Sequence, residues 1–212
     1  MFPLFLHLTD RLVVVIGGGA VGRRKAAAVL DAGAHVRLVC LESLPPDETH
    51  PALDWRTEPY AAAHLDGAVL VFAAATLDVN ARVVADARAR GLWVNSASDP
   101  EAGDFFVPAV VRRGDFVVAV GTGGAAPALA REIRRRLNEQ FDDDFGRWVA
   151  LLAELRPLVL EHVQDAERRR LFFERWSRWE WLERLRRDGA DVVRTGMLQE
   201  LRDGGGAASS PL

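Results

Sequence analysis

Through the N-terminal half of the chain, short unbroken apolar runs alternate with stretches of mixed polarity. Leu12 to Ile16 has no polar face, which predicts a strand buried on both sides, as in a parallel sheet. Arg23 to Ala32 is rich in Ala, Leu and Arg, all good helix formers, and Gly33 stands where a helix stops. His35 to Cys40 is a second apolar strand. Residues 41–53, LESLPPDETHPAL, are a loop by their Pro, Asp and Ser content. LDWRTEPY holds a short third strand. Gly67 to Thr76 is another buried strand, Asp78 to Arg90 the helix after it, and Leu92 to Ser98 the next strand with its exit loop. Residues 1–10 are apolar and add an edge or a cover. This recurring pattern predicts an α/β fold of Rossmann type, a doubly wound parallel sheet over residues 1–104.

The pattern then changes. FFVPAVVRRGDFVVAVGTGG holds two apolar β-rich runs around Arg112, Arg113, Gly114 and Asp115, which predicts a hairpin. PALAREIRRRLNEQF follows as a helix with Pro127 in its first turn. These strands have no sheet to join within one chain, so residues 105–141 are expected to form a dimerisation segment. Residues 142–202 lack strand signals and predict a helical domain with a kink or break near Pro157. Residues 203–212 are expected to be a disordered tail.

Composition narrows the function. The chain has 212 residues, 49% of them hydrophobic, enough for a sizeable core, and a net charge of −3, which excludes a global basic field for nucleic acid. Cys40 is the only cysteine, so no intrachain disulfide and no cysteine cluster for zinc can form. No apolar run reaches the ~20 residues of a membrane span. The first residues, MFPLFLHLTDR, lack the basic region and length of a signal peptide, which points to the cytoplasm. The histidines at 7, 35, 50, 64 and 162 show no metal-ligand spacing, and no metal site is expected.

The chemistry starts at Gly17, Gly19 and Gly22, a G-x-G-x-x-G that follows a strand and opens a helix inside a βαβ unit. The first glycine permits the tight turn, the second lets backbone approach a pyrophosphate, and the third lets helix and strand pack closely. The helix N-terminus directs free N–H groups and a partial positive charge at the phosphates. Glu42, just past the second strand, stands where an acidic residue would hold the adenosine ribose, and it favours NAD over NADP. Ala74, Ala75 and Thr76, at a strand's carboxyl end, either line the cofactor cleft or belong to the core.

Three stretches carry a family resemblance: PLFLHLTDRLVVVIGGGAVGRRKAAAVLDAGA, VNSASDPEAGDFFVPAVVRRGDFVVAVGTGGAAPALAREIRRRL and ERRRLFFERW. The middle one is the most specific, because its N-x-x-x-D-P, F-x-x-P-A, hairpin and GTGGAAP turn are not general Rossmann features. The chain resembles the precorrin-2 dehydrogenase / sirohydrochlorin ferrochelatase family, including the N-terminal module of siroheme synthase, over all but its C-terminal tail. The resemblance implies NAD-dependent oxidation of precorrin-2 to sirohydrochlorin in siroheme biosynthesis. It also implies a homodimer intertwined through the hairpin and its helix. Some members also insert Fe²⁺.

By this resemblance the NAD site falls on Gly17, Gly18, Gly19, Ala20, Val21 and Gly22, with Leu41 and Glu42 near the adenosine and Ala74, Ala75 and Thr76 in the cleft. Many members read N-x-x-D from the position of Asn95, and their aspartate serves both activities. Here Ser98 stands at that position and Asp99 follows. Asp99 either takes over the catalytic role or caps the turn before Pro100. Asn95, Thr122, Gly123, Gly124 and Arg113 are the candidates for holding substrate, the glycines by turning backbone N–H groups to a carboxylate. The alternative for Thr122–Gly124 is a tight turn leading into the next helix. Arginines at 112–113, 131, 134–136 and 168–170 could clamp tetrapyrrole carboxylates or simply be solvated. Phe172, Phe173, Trp176, Trp179 and Trp181 could stack on a macrocycle or form helical core, and His162 is a candidate for proton or metal work. Two other functions stay open: a bifunctional enzyme that also inserts Fe²⁺, and a non-enzymatic NAD-binding dimer that senses redox state.

Overall fold

A computed structural model describes residues 1–45 and 47–203. The tail expected to be disordered therefore lies, from Gly204 onward, outside the described residues. The chain divides into two compact units, Met1–Val107 and Pro108–Leu212.

The first unit is built on strands β1 (Leu12–Ile16), β2 (His35–Cys40), β3 (Leu53–Thr57), β4 (Leu70–Ala73) and β5 (Trp93–Ser96). They form one parallel sheet in the order β3-β2-β1-β4-β5. Helix α1 (Ala20–Leu30) covers one face and α2 (Leu77–Ala89) the other. The alternation of a strand explains why β1 has no polar face. Val13 and Val15 pack with Ala26 and Val29 of α1, while Val14 and Ile16 pack with Val83, Val84 and Ala87 of α2. Each valine and isoleucine among them contributes about 1.5–3 kcal/mol when fully buried. The strand order reverses between β1 and β4, and in such sheets ligands bind outside the carboxyl ends of the strands at that point.

Details depart from the sequence reading. Helix α1 begins at Ala20, so Gly22 lies inside it. The strand expected over 67–76 pairs only across Leu70–Ala73, and Ala74–Thr76 leave the ladder as a rim loop. Of the edge or cover expected from residues 1–10, the structure shows the cover. The chain turns at Asp10 (φ 58°), whose N–H bonds to Gly33 O, and Leu8 covers the sheet core.

In the second unit β6 (Ala109–Arg113) and β7 (Phe116–Val120) form the expected hairpin, followed by α3 (Pro127–Gln140). Helices α4 (Asp143–His162), α5 (Ala166–Trp176), α6 (Trp179–Asp188) and α7 (Ala190–Arg202) complete it. Helix α4 buries Phe145, Trp148, Leu151, Leu155 and Val159, three or four positions apart, as a helix with one apolar face must. The expected break at Pro157 is absent, and α4 runs on to His162. Pro157 forfeits one backbone hydrogen bond, but burial of Leu155 and Val159 on either side holds the helix to the core. Phe172, Trp176 and Trp181 lie in this core and Phe173 packs against it. Trp179 is half exposed and rests beside Phe145 and Trp148. All but Trp179 are helical core. Among the described residues no helix is long and apolar enough to cross a membrane.

The hairpin joins these helices through tilted ring contacts and one close approach. Phe116 contacts Phe141 and Phe145 at 4.9 and 4.5 Å between ring centres. A Cβ on Gly146 of α4 would lie 2.8 Å from Arg113 Cβ and 3.2 Å from its carbonyl oxygen. Helix propensity alone would make Gly146→Ala stabilising by about 1 kcal/mol. The contact reverses the sign: the variant is expected to lose about 1–3 kcal/mol in denaturant unfolding, and a gain would refute the close packing.

Candidate functional site

Four glycines meet at the end of β1, and three of them are required by the protein itself. Gly17 has φ 114°, and a Cβ there would lie 2.3 Å from Ala74 O. A Cβ on Gly18 would lie 2.6 Å from Cys40 Sγ, and one on Gly22 1.9 Å from Gly17 O. Gly19 differs. Its backbone (φ −68°, ψ 175°) suits any residue, and nothing lies within 4 Å of the place a Cβ would take. The protein leaves this space open, which is what a pyrophosphate needs to reach the backbone.

Gly19 is also the N-cap of α1 and brings no side chain to cap it, and the first helical bond runs from Arg23 N–H to Gly19 O. The N–H groups of the first turn therefore have no intrahelical partner. No acidic residue sits in that turn to compete for the partial positive charge. Ala20 and Val21 are exposed there.

Across the turn, Glu42 is held by its backbone. Its carbonyl accepts bonds from Trp55 Nε1 (2.9 Å), Thr57 Oγ1 (3.3 Å) and Cys40 Sγ (3.2 Å). Strand β3 thus fixes the loop after β2. The Glu42 carboxylate reaches within 3.2 Å of where a Cβ on Gly18 would stand. Leu41 beside it is exposed. Burial pushes the Cys40 thiol up, so it stays a protonated packing group.

On the other side of β1, Ala74 and Ala75 are half-buried and Thr76 is the exposed N-cap of α2. Ser98 and Asp99 are exposed at the β5 exit. The Asp99 carboxylate accepts the Glu101 and Ala102 N–H groups, which is the turn-capping alternative. Asn95 is buried and engaged within the chain. Its Oδ1 accepts from Lys25 Nζ (2.7 Å), and its Nδ2 donates to Phe105 O (2.8 Å).

Two residues here escaped the sequence reading. Lys25, the only lysine, also sits 4.8 Å over the Phe72 ring, and burial, then Arg24, holds its ammonium below the usual lysine range. Asn80 is a buried amide in the apolar stripe Asn80–Val83–Val84–Ala87 of α2, a polar interruption that the periodicity could have flagged. Its Oδ1 accepts from Ala75 N–H, and its Nδ2 donates to Ala75 O and Ser98 Oγ.

The rim of the first unit therefore links the glycine turn, Glu42, Ala74–Thr76 and Ser98. The remaining candidates belong to the second unit. Thr122 Oγ1 accepts from Ala126 N–H, and Gly123 and Gly124 take φ of 66° and 83° in a tight turn that leads to Pro127. Arg113 donates to Asn138 O and Oδ1 and stands 3.2 Å from Asp143. Arg135 and Arg136 pair with Glu132, and Arg170 with Glu167 and Glu174, along their own helices. His162 bonds to Leu158 O and edges a cavity of about 650 Å³ among the helices.

Comparison with known proteins agrees with this geometry. Residues 4–109 match a family model described as "Putative NAD(P)-binding". The siroheme synthase of Methylobacillus flagellatus is 39% identical over 182 residues, 81% of this chain and 38% of that protein. That of Chromobacterium violaceum is 39% identical over 178 residues, 82% of this chain and 38% of that protein. The chain thus spans well under half the length of these curated relatives. A solved structure described as "SirC, precorrin-2 dehydrogenase" has the same fold, with a TM-score of 0.79 over 96% of this chain and all of that one, at 23% identity. An open Gly19, an uncapped helix N-terminus and a family match across half the sequence converge, and the chain belongs to this NAD(P)-binding family.

Proposed function

We propose that the chain oxidises precorrin-2 to sirohydrochlorin with NAD⁺ as acceptor, as a cytoplasmic homodimer in siroheme biosynthesis. The carrying observation is the reach of the likeness to siroheme synthases. A match over 182 residues cannot fit within the NAD(P)-binding segment 4–109, so it extends into the second unit.

When bound, NAD⁺ supplies a ring that accepts hydride. The chain's own residues bind and orient it. Gly17 to Gly22 and the first N–H groups of α1 hold the pyrophosphate. The Glu42 carboxylate takes a ribose hydroxyl and repels a 2′-phosphate, which selects NAD over NADP. Leu41 lies beside the adenosine, and Ala74, Ala75 and Thr76 flank the nicotinamide side, with Asn95 supporting the β5 exit from beneath. On the second unit, the Thr122–Gly124 turn offers backbone N–H groups to a substrate carboxylate, and Arg113 adds positive charge nearby in sequence. The proton released on oxidation can pass to water or to a substrate carboxylate, so Asp99 need not act as base.

Ser98 supports a dehydrogenase that does not insert iron. A hard divalent ion favours charged oxygen ligands, and a hydroxyl lacks that charge. The carboxylate of Asp99 is already committed to its turn. The hairpin supports the dimer. One of its faces packs on α3 and α4, while the other presents Val110, Val117 and Ala119 beside Arg112, with Val110 and Ala119 exposed.

Turnover, two glycine variants and the mass in solution test this reading. With precorrin-2 and NAD⁺ the protein should form NADH and sirohydrochlorin, while Fe²⁺ or Co²⁺ insertion into sirohydrochlorin stays at the level without enzyme. Absence of NADH overturns the activity, and insertion that is lost in Asp99→Asn makes the chain bifunctional. Gly19→Asp should weaken NAD⁺ binding by about 100-fold or more at unchanged or slightly raised thermal stability, because the carboxylate caps the free N–H groups of α1 and fills open space meant for an anion. Gly22→Ala should instead disrupt folding, since its methyl meets backbone. Light scattering at micromolar concentration should give a dimer mass, and a monomer there would refute the assembly.

A further inference from the structure

We propose that Asn80, a residue with no place in the reading above, is a positioning residue: its carboxamide fixes the spacing of the β4 and β5 exits and turns the Ser98 hydroxyl proton outward toward a ligand oxygen. The inference rests on the proposed dehydrogenase reading for its substrate, but not for its geometry.

Asn80 is 1% exposed, so it meets no ligand itself. Its orientation is settled by its neighbours. The Ala75 N–H must meet an acceptor, so Oδ1 is the atom 2.8 Å away, and Nδ2 then faces Ala75 O at 3.2 Å and Ser98 Oγ at 2.9 Å. A carboxamide N–H₂ only donates. Ser98 Oγ is therefore the acceptor in that bond, and its own proton must point elsewhere. Ser96 Oγ, at 3.5 Å, is too far for a good O–H···O bond. The proton is left for an oxygen outside the protein, and Ser98 is exposed to receive one. The shared chemistry is a carbonyl or carboxylate oxygen, present both in the nicotinamide carboxamide and on a polycarboxylate substrate.

The second arm runs through backbone. Asn80 grips Ala75 by both its N–H and its C=O, and the preceding carbonyl, Ala74 O, is the atom against which Gly17 packs. Holding Ala75 therefore holds one wall of the glycine turn. Glu42 marks the adenosine side of β1, so the β4 and β5 exits flank the nicotinamide end of a dinucleotide laid across the rim. The two arms act on the same end of the cofactor.

Three variants separate the arms, with NAD⁺ affinity read by calorimetry and turnover by NADH formation from precorrin-2, well below the unfolding temperature. Asn80→Ala loses both arms and should raise the NAD⁺ Kd about 10-fold. Asn80→Asp keeps an acceptor for Ala75 N–H but can donate neither to Ala75 O nor to Ser98 Oγ, which then turns its proton inward. It should raise the NAD⁺ Kd about 3-fold, less than Asn80→Ala because half of the grip on Ala75 survives, and lower kcat/KM about 10-fold. Ser98→Ala should lower kcat/KM roughly 3–10-fold alone and add nothing in the Asn80→Asp background. A rise in NAD⁺ Kd in Ser98→Ala identifies the nicotinamide as its partner, and a rise in precorrin-2 KM identifies the substrate. Full additivity of Asn80→Asp and Ser98→Ala would overturn the orienting role. A folded Asn80→Ala with native NAD⁺ affinity would overturn the backbone arm. Should the Asn80 variants not fold, Ser98→Ala decides: a native kcat/KM there would overturn the outward-pointing proton. A native protein that leaves precorrin-2 unchanged refutes the dehydrogenase reading alone, since the NAD⁺ affinities of the variants are measured without substrate.

Discussion

The binding rim depends on one contact between two pieces of backbone. Gly17 leaves β1 directly against the carbonyl of Ala74 as that residue leaves β4, so close that no side chain fits between them. The contact sits where the strand order reverses, and it sets the direction in which the chain enters α1. The third motif glycine repeats the device one turn later, with α1 resting on Gly17 O. Everything on the rim is arranged from there. The helix N-terminus points outward because the turn is tight, and Glu42 overhangs the turn because Gly18 leaves it room.

Much of this was legible in the sequence, because it is local. Leu12 to Ile16 declares a strand with two buried faces, and the glycine spacing declares the turn and the helix after it. The hairpin around Gly114 was equally plain from two apolar runs and their connection. What sequence reasoning missed are partners far apart in the chain. Asn80 meets Ser98, and Lys25 meets Asn95 across 70 positions, and no local pattern joins such pairs. Asp99 offered two readings because capping and catalysis call for the same residue type. Only its bonds to Glu101 and Ala102 reveal the capping role.

Pro157 and Asp10 show local rules overridden or underestimated. The proline removes a hydrogen bond from α4, yet a continuous apolar face holds the helix together through it. Such a face binds a helix along its whole length, whereas a proline weakens one turn. Asp10 has the opposite effect. An apolar N-terminal stretch suits an edge strand or a cover alike, and the turn at Asp10, with its positive φ, goes with the cover, in which only Leu8 reaches the core. In the second unit the same balance lets a two-stranded hairpin persist: it leans on α3 and α4 through aromatic rings and through the missing side chain of Gly146.

Gly19 has a consequence for how such chains diverge. Gly17, Gly18 and Gly22 are pinned by the fold, and a lineage that discards its cofactor must still retain them to stay folded. Nothing in the fold pins Gly19, and under the proposed NAD⁺ site only the ligand does. Once the ligand is gone, this position drifts freely while its neighbours stay fixed. The four glycines thus keep two separate histories, one of the architecture and one of its use. A descendant that keeps Gly17, Gly18 and Gly22 and has lost Gly19 announces that it has become a scaffold.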